Sequence, residues 1–369
     1  MYLTSLKLTN FRNYRKIDVS LGRNMNIFLG DNAQGKTNIL ESIIVLALTK
    51  SYRGNLDSEL IRFDCSRTKL NCKLIDNTVI KKLEVTLEEG KKILMINNTT
   101  IYKVSDYIAN LSVISFSPDD LNIIKDSPSV RRNLLNIQIS QLSRIYLNTY
   151  NEYNKLLKTR NEYLKLLLTS SVADKKYLDI ITDKLIDKAI IIYKERKNYI
   201  DSVNKNISKI YKEIMDFDGL KVEYSPNVDF ISYEYDDMKQ KLKYVYDQNY
   251  KRELNSGLTL FGPHRDDFSF ILNGVSLKSY GSQGQQRMAV ISFKLSEIYI
   301  FDEKVNSKPV LLFDDIFSEL DIKRRNRLMR FISNDIQSII TTTDLKNIQK
   351  KYLVNSVIYR VENGNIVRK

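Results

Sequence analysis

A chain of 369 residues with 43% hydrophobic and 28% charged residues, 12 glycines and 5 prolines has room for one large domain or two ordinary ones, and is not expected to be disordered. A formal net charge of +14 and a pI near 9.4 favour polyanionic partners, nucleic acid first, although so much Lys, Asn, Ile and Tyr also reflects A/T-rich coding. Two cysteines off CxxC spacing and one histidine exclude zinc, redox and multi-histidine metal sites. The N-terminus lacks a signal-peptide pattern and no apolar run approaches the ~20 residues of a membrane span, so a cytoplasmic protein is expected.

Leu3, Leu6 and Leu8, then Ile17, Val19 and Leu21, alternate with polar residues on either side of a polar turn at 10–14 and predict two strands. Met25–Leu29 is an apolar run ending at Gly30, a buried strand feeding a glycine-bounded loop. Ile39, Ile43, Leu46 and Ala47 share one face of a helix expected over 36–48. Residues 62–101 read as short strands with Asn, Asp and Gly turns, a β-rich layer. Ser127-Pro128 is a helix start, an N-cap followed by proline at the first helical position. Apolar residues then recur at threes and fours from Ile139 to Leu167, break over 169–174, and resume from Leu178 to Ile214. The spacing predicts an antiparallel hairpin of two long helices, where roughly 40 residues at 1.5 Å each would reach about 60 Å. From Leu254 the chain returns to α/β character, with an apolar strand at 310–313, another after 337–340, and a closing hairpin around Asn363-Gly364. The expected organisation is a head split between 1–125 and 254–369, with a helical arm at 126–253. The arm is no basic stalk: residues 121–254 hold 24 Lys/Arg against 19 Asp/Glu.

Residues 30–37, GDNAQGKT, fit G-x-x-x-x-G-K-[ST] between a predicted strand and a predicted helix. Gly30 and Gly35 permit backbone angles and close approach that a Cβ would block. The loop through Asp31, Asn32, Ala33 and Gln34 then presents amides to phosphate at a helix N-terminus. Lys36 supplies a positive charge to the β- and γ-phosphates of ATP, and Thr37 a hydroxyl to Mg²⁺. VLLFDDI at 310–316 is a buried strand carrying two acids to its C-terminal edge, where α/β sheets bind ligands. Asp314 is expected on Mg²⁺ and Asp315 on the attacking water. Taken alone, the pair also fits a solvated surface turn. YGSQGQQR at 280–287, about 30 residues upstream, exposes amides beside Ser282 and Gly284 and opens a helix near Gln285; alone it also fits a polar turn capping a helix.

Together these segments resemble the RecF family of DNA replication and repair proteins, related to the SMC heads. The resemblance runs through LKLTNFRNYRK (6–16), GDNAQGKTNILESI (30–43), KSYRG (50–54), FSPDDL (116–121), SPSVRR (127–132), GPHRDD (262–267), YGSQGQQR (280–287) and LLFDDIFSELD (311–321). It implies an α/β, ABC/SMC-like P-loop ATPase head of mixed sheets with helices, carrying an inserted antiparallel helical-hairpin arm. It also implies an ATP-dependent homodimer in which Ser282, Gly284 and Gln285 touch the γ-phosphate held by the other subunit. FSELD, ending at Asp321, resembles a D-loop, and Thr343 stands at the switch position. The implied function is a nucleoid-associated, weak DNA-stimulated ATPase that clamps DNA at gaps and junctions. With RecR and RecO it would load recombinase and support the SOS response. This sequence departs from the wider ABC pattern at Asp315, usually glutamate, and at Thr343, often histidine; FSPDDL occupies the Q-loop region. The shorter Asp315 carboxylate predicts slow turnover.

Arg131 and Arg132 either meet DNA phosphates or the second subunit, or form a salt-bridged helix start. In GPHRDD, His264 reads as a catalytic base or, better, as part of a hydrogen-bonded turn with Arg265 and Asp267. Four other classes fit less well. A transporter subunit would lack the hairpin and the NFRNY segment, and an SMC protein needs far longer arms. A P-loop kinase needs no signature, and a nuclease-coupled ATPase needs a domain beyond Asp315.

Overall fold

The computed structural model describes residues 1–54, 56–169, 174–332, 335–345 and 349–368. In chain order the strands are β1 (Tyr2–Phe11), β2 (Tyr14–Ser20), β3 (Met25–Leu29), β4 (Arg67–Asp76), β5 (Val79–Glu88), β6 (Lys91–Ile96), β7 (Thr99–Ile101), β8 (Val113–Phe116), β9 (Leu220–Ser225), β10 (Asp267–Leu272), β11 (Val275–Ser276), β12 (Val310–Asp314), β13 (Ser338–Thr342), β14 (Ser356–Glu362) and β15 (Asn365–Arg368). The helices longer than two turns are α1 (Lys36–Leu48), α2 (Pro128–Leu142), α3 (Arg144–Thr169), α4 (Lys175–Asn204), α5 (Ile207–Met215), α6 (Tyr235–Ser256), α7 (Gln283–Val305) and α8 (Ile322–Phe331). They form two compact units, one of residues 1–121, 206–219 and 283–369, the other of 122–205 and 220–282.

The first unit holds two six-stranded sheets, ordered β2-β1-β4-β5-β6-β7 and β15-β14-β3-β13-β12-β8. Pairing is antiparallel throughout the first sheet; in the second, β14, β3, β13, β12 and β8 run parallel. A parallel sheet is covered on both faces, and β3 and β12 are accordingly apolar and buried almost throughout. Helix α1 lies between the sheets. One apolar cluster joins Leu70 and Val85 of the first sheet, Ile43 and Leu46 of α1, and Phe28, Leu312 and Ile339 of the second. Residues 39–47 are therefore buried all round, not on the single face that periodicity suggested.

Leu3 and Leu6 are three apart and would face opposite sides of a regular strand. The register of β1 on β4 shifts between Leu3 and Ser5, and this bulge brings Leu3, Leu6 and Leu8 into the same core. The closing hairpin β14–β15 turns through Asn363 and Gly364, both at positive φ, as a two-residue turn requires.

The second unit packs α2, α3, α4 and α6 with the three-stranded sheet β11-β10-β9. Helices α3 and α4 are antiparallel: Glu152 pairs with Lys188, and Arg160 Nε donates to Thr182 Oγ1. They have 26 and 30 residues, about 40 and 45 Å, shorter than the periodic runs suggested. Two breaks explain this. Ser143 is extended, and its Oγ accepts from Tyr146 N at 3.1 Å, which starts α3 as a separate helix. The later run divides after Asn204, and α5 belongs to the first unit. Of the turn read at 169–174, residues 170–173 lie outside the described residues. Among the described residues no helix is long and apolar enough to cross a membrane.

Candidate nucleotide-binding site

The loop joining β3 to α1 lies at the C-terminal edge of the parallel strands, where β12 delivers Asp314 and β13 ends at Thr342. Its glycines are dictated locally. A Cβ on Gly30 would lie 2.4 Å from the Val361 carbonyl oxygen. Gly35 adopts φ +103, and a Cβ there would meet the Asn13 amide at 2.5 Å. Asp31, Asn32 and Ala33 are exposed at the tip, and Gln34 Oε1 accepts from Asn363 N at 2.6 Å.

Lys36 opens α1, and its Nζ donates to the carbonyl oxygens of Gly30 and Asp31, both at 2.7 Å. Burial lowers its pKa, opposed by Asp315, Asp314 and Asp31. Thr37 Oγ1 donates to Asp314 Oδ1 at 2.9 Å, and Thr341 Oγ1 donates to the same oxygen at 2.8 Å. Asp315 follows at φ +48, its amide held by Thr341 Oγ1 at 3.1 Å. The Asp315 Oδ1 atom is buried without a hydrogen-bond partner. Burial raises the Asp315 pKa, against the lowering influence of Ser318 and Lys36.

Lys36, Thr37, Asp314 and Asp315 line one open cavity of ≈ 420 Å³ together with Asn32, Gly35, Asn13 and Arg53. An ammonium at a helix N-terminus can receive an anion, and the Thr37–Asp314 oxygens offer hard ligands to a cation. Among the described residues no cluster of three or more His, Cys, Asp or Glu could hold a metal unaided. Such a cation would complete its shell from ligand phosphates and water, which suits Mg²⁺.

Three features were not legible in the motif. Arg12 makes a two-pronged pair with Glu41 of α1, at 3.0 and 2.8 Å, and Glu41 is fully buried. Asn13 Nδ2 donates to the Gln34 carbonyl at 3.3 Å, and Tyr14 Oη to the Gly35 carbonyl at 3.0 Å. The NFRNY segment thus braces the loop from below. Arg53 reaches the cavity from KSYRG and donates to Asn38 Oδ1 at 3.1 Å. The family-like segments held the only sequence signal for these contacts.

Ser282 is exposed, and α7 begins at Gln283, two residues before the expected start, so Gly284 and Gln285 lie in its first turn. The nearest side chain to Gly284 is Arg324 of α8. Asp321 caps α8 by accepting from Arg324 N at 2.9 Å, and Thr343 is exposed past β13.

In the second unit Arg131 and Arg132 are placed differently. Arg131 is buried at 4% exposure, doubly bonded to Asp267 at 2.6 and 3.0 Å, with Nη1 on the carbonyls of Ile123 and Asp126. Its donors are spent inside the unit, which is the salt-bridged helix start of the two alternatives. Arg132 donates to the Asp266 carbonyl at 2.8 Å and remains partly exposed. His264 is held through both ring nitrogens, by Tyr153 Oη at 2.7 Å and the Thr259 carbonyl at 3.0 Å. Burial lowers its pKa to about 4. It stands in the hydrogen-bonded turn.

Comparison with known proteins identifies the family and the fold. Residues 2–366 match the RecF/RecN/SMC N terminal domain family. The chain is 36% identical over 370 residues to the DNA replication and repair protein RecF of Shouchella clausii, covering 100% of both chains. It is 37% identical to that of Listeria welshimeri, covering 99% of each. Among solved structures, the recombination mediator protein RecF-ATP in the RecFOR pathway superposes with a TM-score of 0.92 at 31% identity, over 100% of this chain and 97% of that one. An Smc head domain from Pyrococcus furiosus, at 15% identity and a TM-score of 0.55 over 100% of this chain and 96% of that one, shares the fold. The chain belongs to the RecF family, on an ABC/SMC-type ATPase head.

Proposed function

We propose that the protein is an ATP-hydrolysing, DNA-binding protein of recombinational repair and replication-fork recovery. The observation that carries the reading is the convergence of Lys36, the Thr37–Asp314 pair and the unpartnered Asp315 oxygen on one cavity. Support for DNA comes from relatives named for DNA replication and repair and from a net charge of +14.

In this reading the amides of 31–37 and Lys36 bind the ATP phosphates, Lys36 exchanging its two carbonyl partners for phosphate oxygens. Thr37 and Asp314 would hold Mg²⁺, which when bound neutralises charge on the β- and γ-phosphates. Asp315 orients the attacking water and takes its proton; the unpartnered Oδ1 is the lone pair available for this. Ser282, Gly284 and Gln285 of a second copy close on the γ-phosphate, while Asp321 and Thr343 border the junction. The dimer clamps duplex DNA at gaps and single-strand junctions, with Arg132 as a phosphate contact. With RecR and RecO it promotes recombinase loading and SOS induction, and slow, DNA-stimulated hydrolysis releases it.

Sedimentation velocity with ATP and Mg²⁺ tests the core of this. Wild type should dimerise, Lys36→Met and Ser282→Arg should stay monomeric, and Asp315→Asn should hold the dimer. A wild type that stays monomeric with ATP bound, on and off DNA, would reduce the protein to a one-site nucleotide switch.

A further inference from the structure

A second cavity, of ≈ 490 Å³, lies in the second unit between residues 229–232 and one face of α6. Asp237, Lys241 and Tyr244 are spaced by four and three and share that face. The opposite wall is fixed. Val228 is buried, Asn227 N donates to Asp266 Oδ1 at 2.9 Å, and the Phe230 ring meets buried Tyr193 edge-on at 4.9 Å. On this rigid frame Ile231 is fully exposed and Tyr244 is 60% exposed.

The charge around the groove runs against that of the whole chain. Asp229 and Asp237 are exposed in its lining, and Glu234 and Asp236 are exposed beside Asp237 in the sequence, at the start of α6. The neighbouring Lys239 and Lys243 are held by Asp187 and Asp183, at 2.8 and 2.9 Å, and among the described residues Lys241 is the lysine in the groove lining. In a protein of net charge +14 this face repels phosphate and attracts cations.

We infer that the groove between residues 229–232 and α6 is a docking site for a segment of a partner protein that carries basic side chains around an apolar anchor. Ile231, Phe230 and Tyr244 offer the apolar seat, and the Asp229 and Asp237 carboxylates, with Glu234 and Asp236 next to them in the chain, favour lysine or arginine. Nucleic acid is disfavoured by the same carboxylates. The inference does not depend on the ATPase reading, because none of these residues lies in the nucleotide cavity.

Fluorescence anisotropy of the full chain with a labelled Lys-Leu-Lys-Phe-Arg peptide tests it. Saturable binding is expected, falling with salt, and weakened at least about tenfold by Ile231→Asp and by Asp229→Lys with Asp237→Lys. The exposed positions of these residues mean that the variants should melt as wild type does. The inference is overturned if no saturable binding occurs, if binding is unchanged in the variants, or if a matched Glu-Leu-Glu-Phe-Asp peptide, labelled in its place, binds the groove as well. It is equally overturned if Ile231→Asp instead abolishes a self-association seen in sedimentation, because the face would then seat a second copy.

Discussion

The nucleotide loop of the first unit and the GPHRDD network of the second are both clusters of charged residues at sharp turns, yet they are finished differently. Around Asp266 almost nothing is left over: the carboxylate accepts from Arg196 at 2.9 Å, from Tyr224 and from Asn227 N, and Arg196 is further held by Tyr146, Asn136 and the Pro263 carbonyl. Around Asp315 one carboxylate oxygen has no partner, and Lys36 rests on two backbone carbonyls that a phosphate could replace. Saturated polar clusters hold a fold; incompletely saturated ones have capacity for a ligand. Substitutions in the two places should separate activity from stability.

The largest effect is expected at Asp315. Asp315→Asn should slow single-turnover ATP hydrolysis by about 10²–10⁴-fold while leaving ATP binding and unfolding intact. Burial raises the Asp315 pKa in the nucleotide-free protein, and the wild-type rate should fall on acidification as Asp315 takes up its proton. Asp315→Asn should lack that limb. Unchanged hydrolysis in the variant would remove Asp315 from the chemistry.

Arg196→Met does the opposite. It strands a fully buried Asp266 carboxylate and should cost about 3–5 kcal/mol in denaturant unfolding. A loss below about 1 kcal/mol would mean that water or a shifted donor replaces the guanidinium.

His264 gives a pH-dependent version of the same contrast. Its pKa of about 4 lies below the ordinary 6.5, so the unfolded chain takes up a proton first as pH falls. The stabilisation is complete above pH 6.5 and is lost between pH 6.5 and 4, about 2–4 kcal/mol in all. Stability curves of wild type and His264→Gln should converge in slope above that window and differ within it. Parallel curves would place the titration elsewhere.

The same contrast explains what the sequence made legible. Strands β3 and β12, helix α1 and the β14–β15 hairpin follow from apolar runs, glycines and turn residues, because their determinants are local. Glu41 reads as one polar residue of a helix, and only the fold reveals its pairing with Arg12, 29 residues away. For Arg131 the sequence left a salt-bridged helix start and a phosphate contact both open, because its partner Asp267 is 136 residues distant. The break at Ser143 was hidden because apolar spacing continues across it; a serine that can cap a new helix was the available signal.

The smallest and sharpest effect is expected at Tyr14. Its ring is fully buried and its hydroxyl donates to the Gly35 carbonyl, while Asn13 donates to the Gln34 carbonyl. A trans peptide is planar, so fixing a carbonyl fixes the following N–H in the opposite direction. Tyr14 thereby orients the amide of Lys36, and Asn13 that of Gly35, which are amides a phosphate would use. Tyr14→Phe keeps the packing and removes one hydrogen bond, worth about 0.5–1.5 kcal/mol. If the bond serves amide orientation, calorimetry should show ATP binding weakened by about 2–10-fold, with most of the loss in affinity and little in the unfolding midpoint. If the loss appears instead in unfolding, with ATP affinity unchanged, the NFRNY segment is scaffold like the Asp266 network, and the loop amides are set by Gly30 and Gly35 alone.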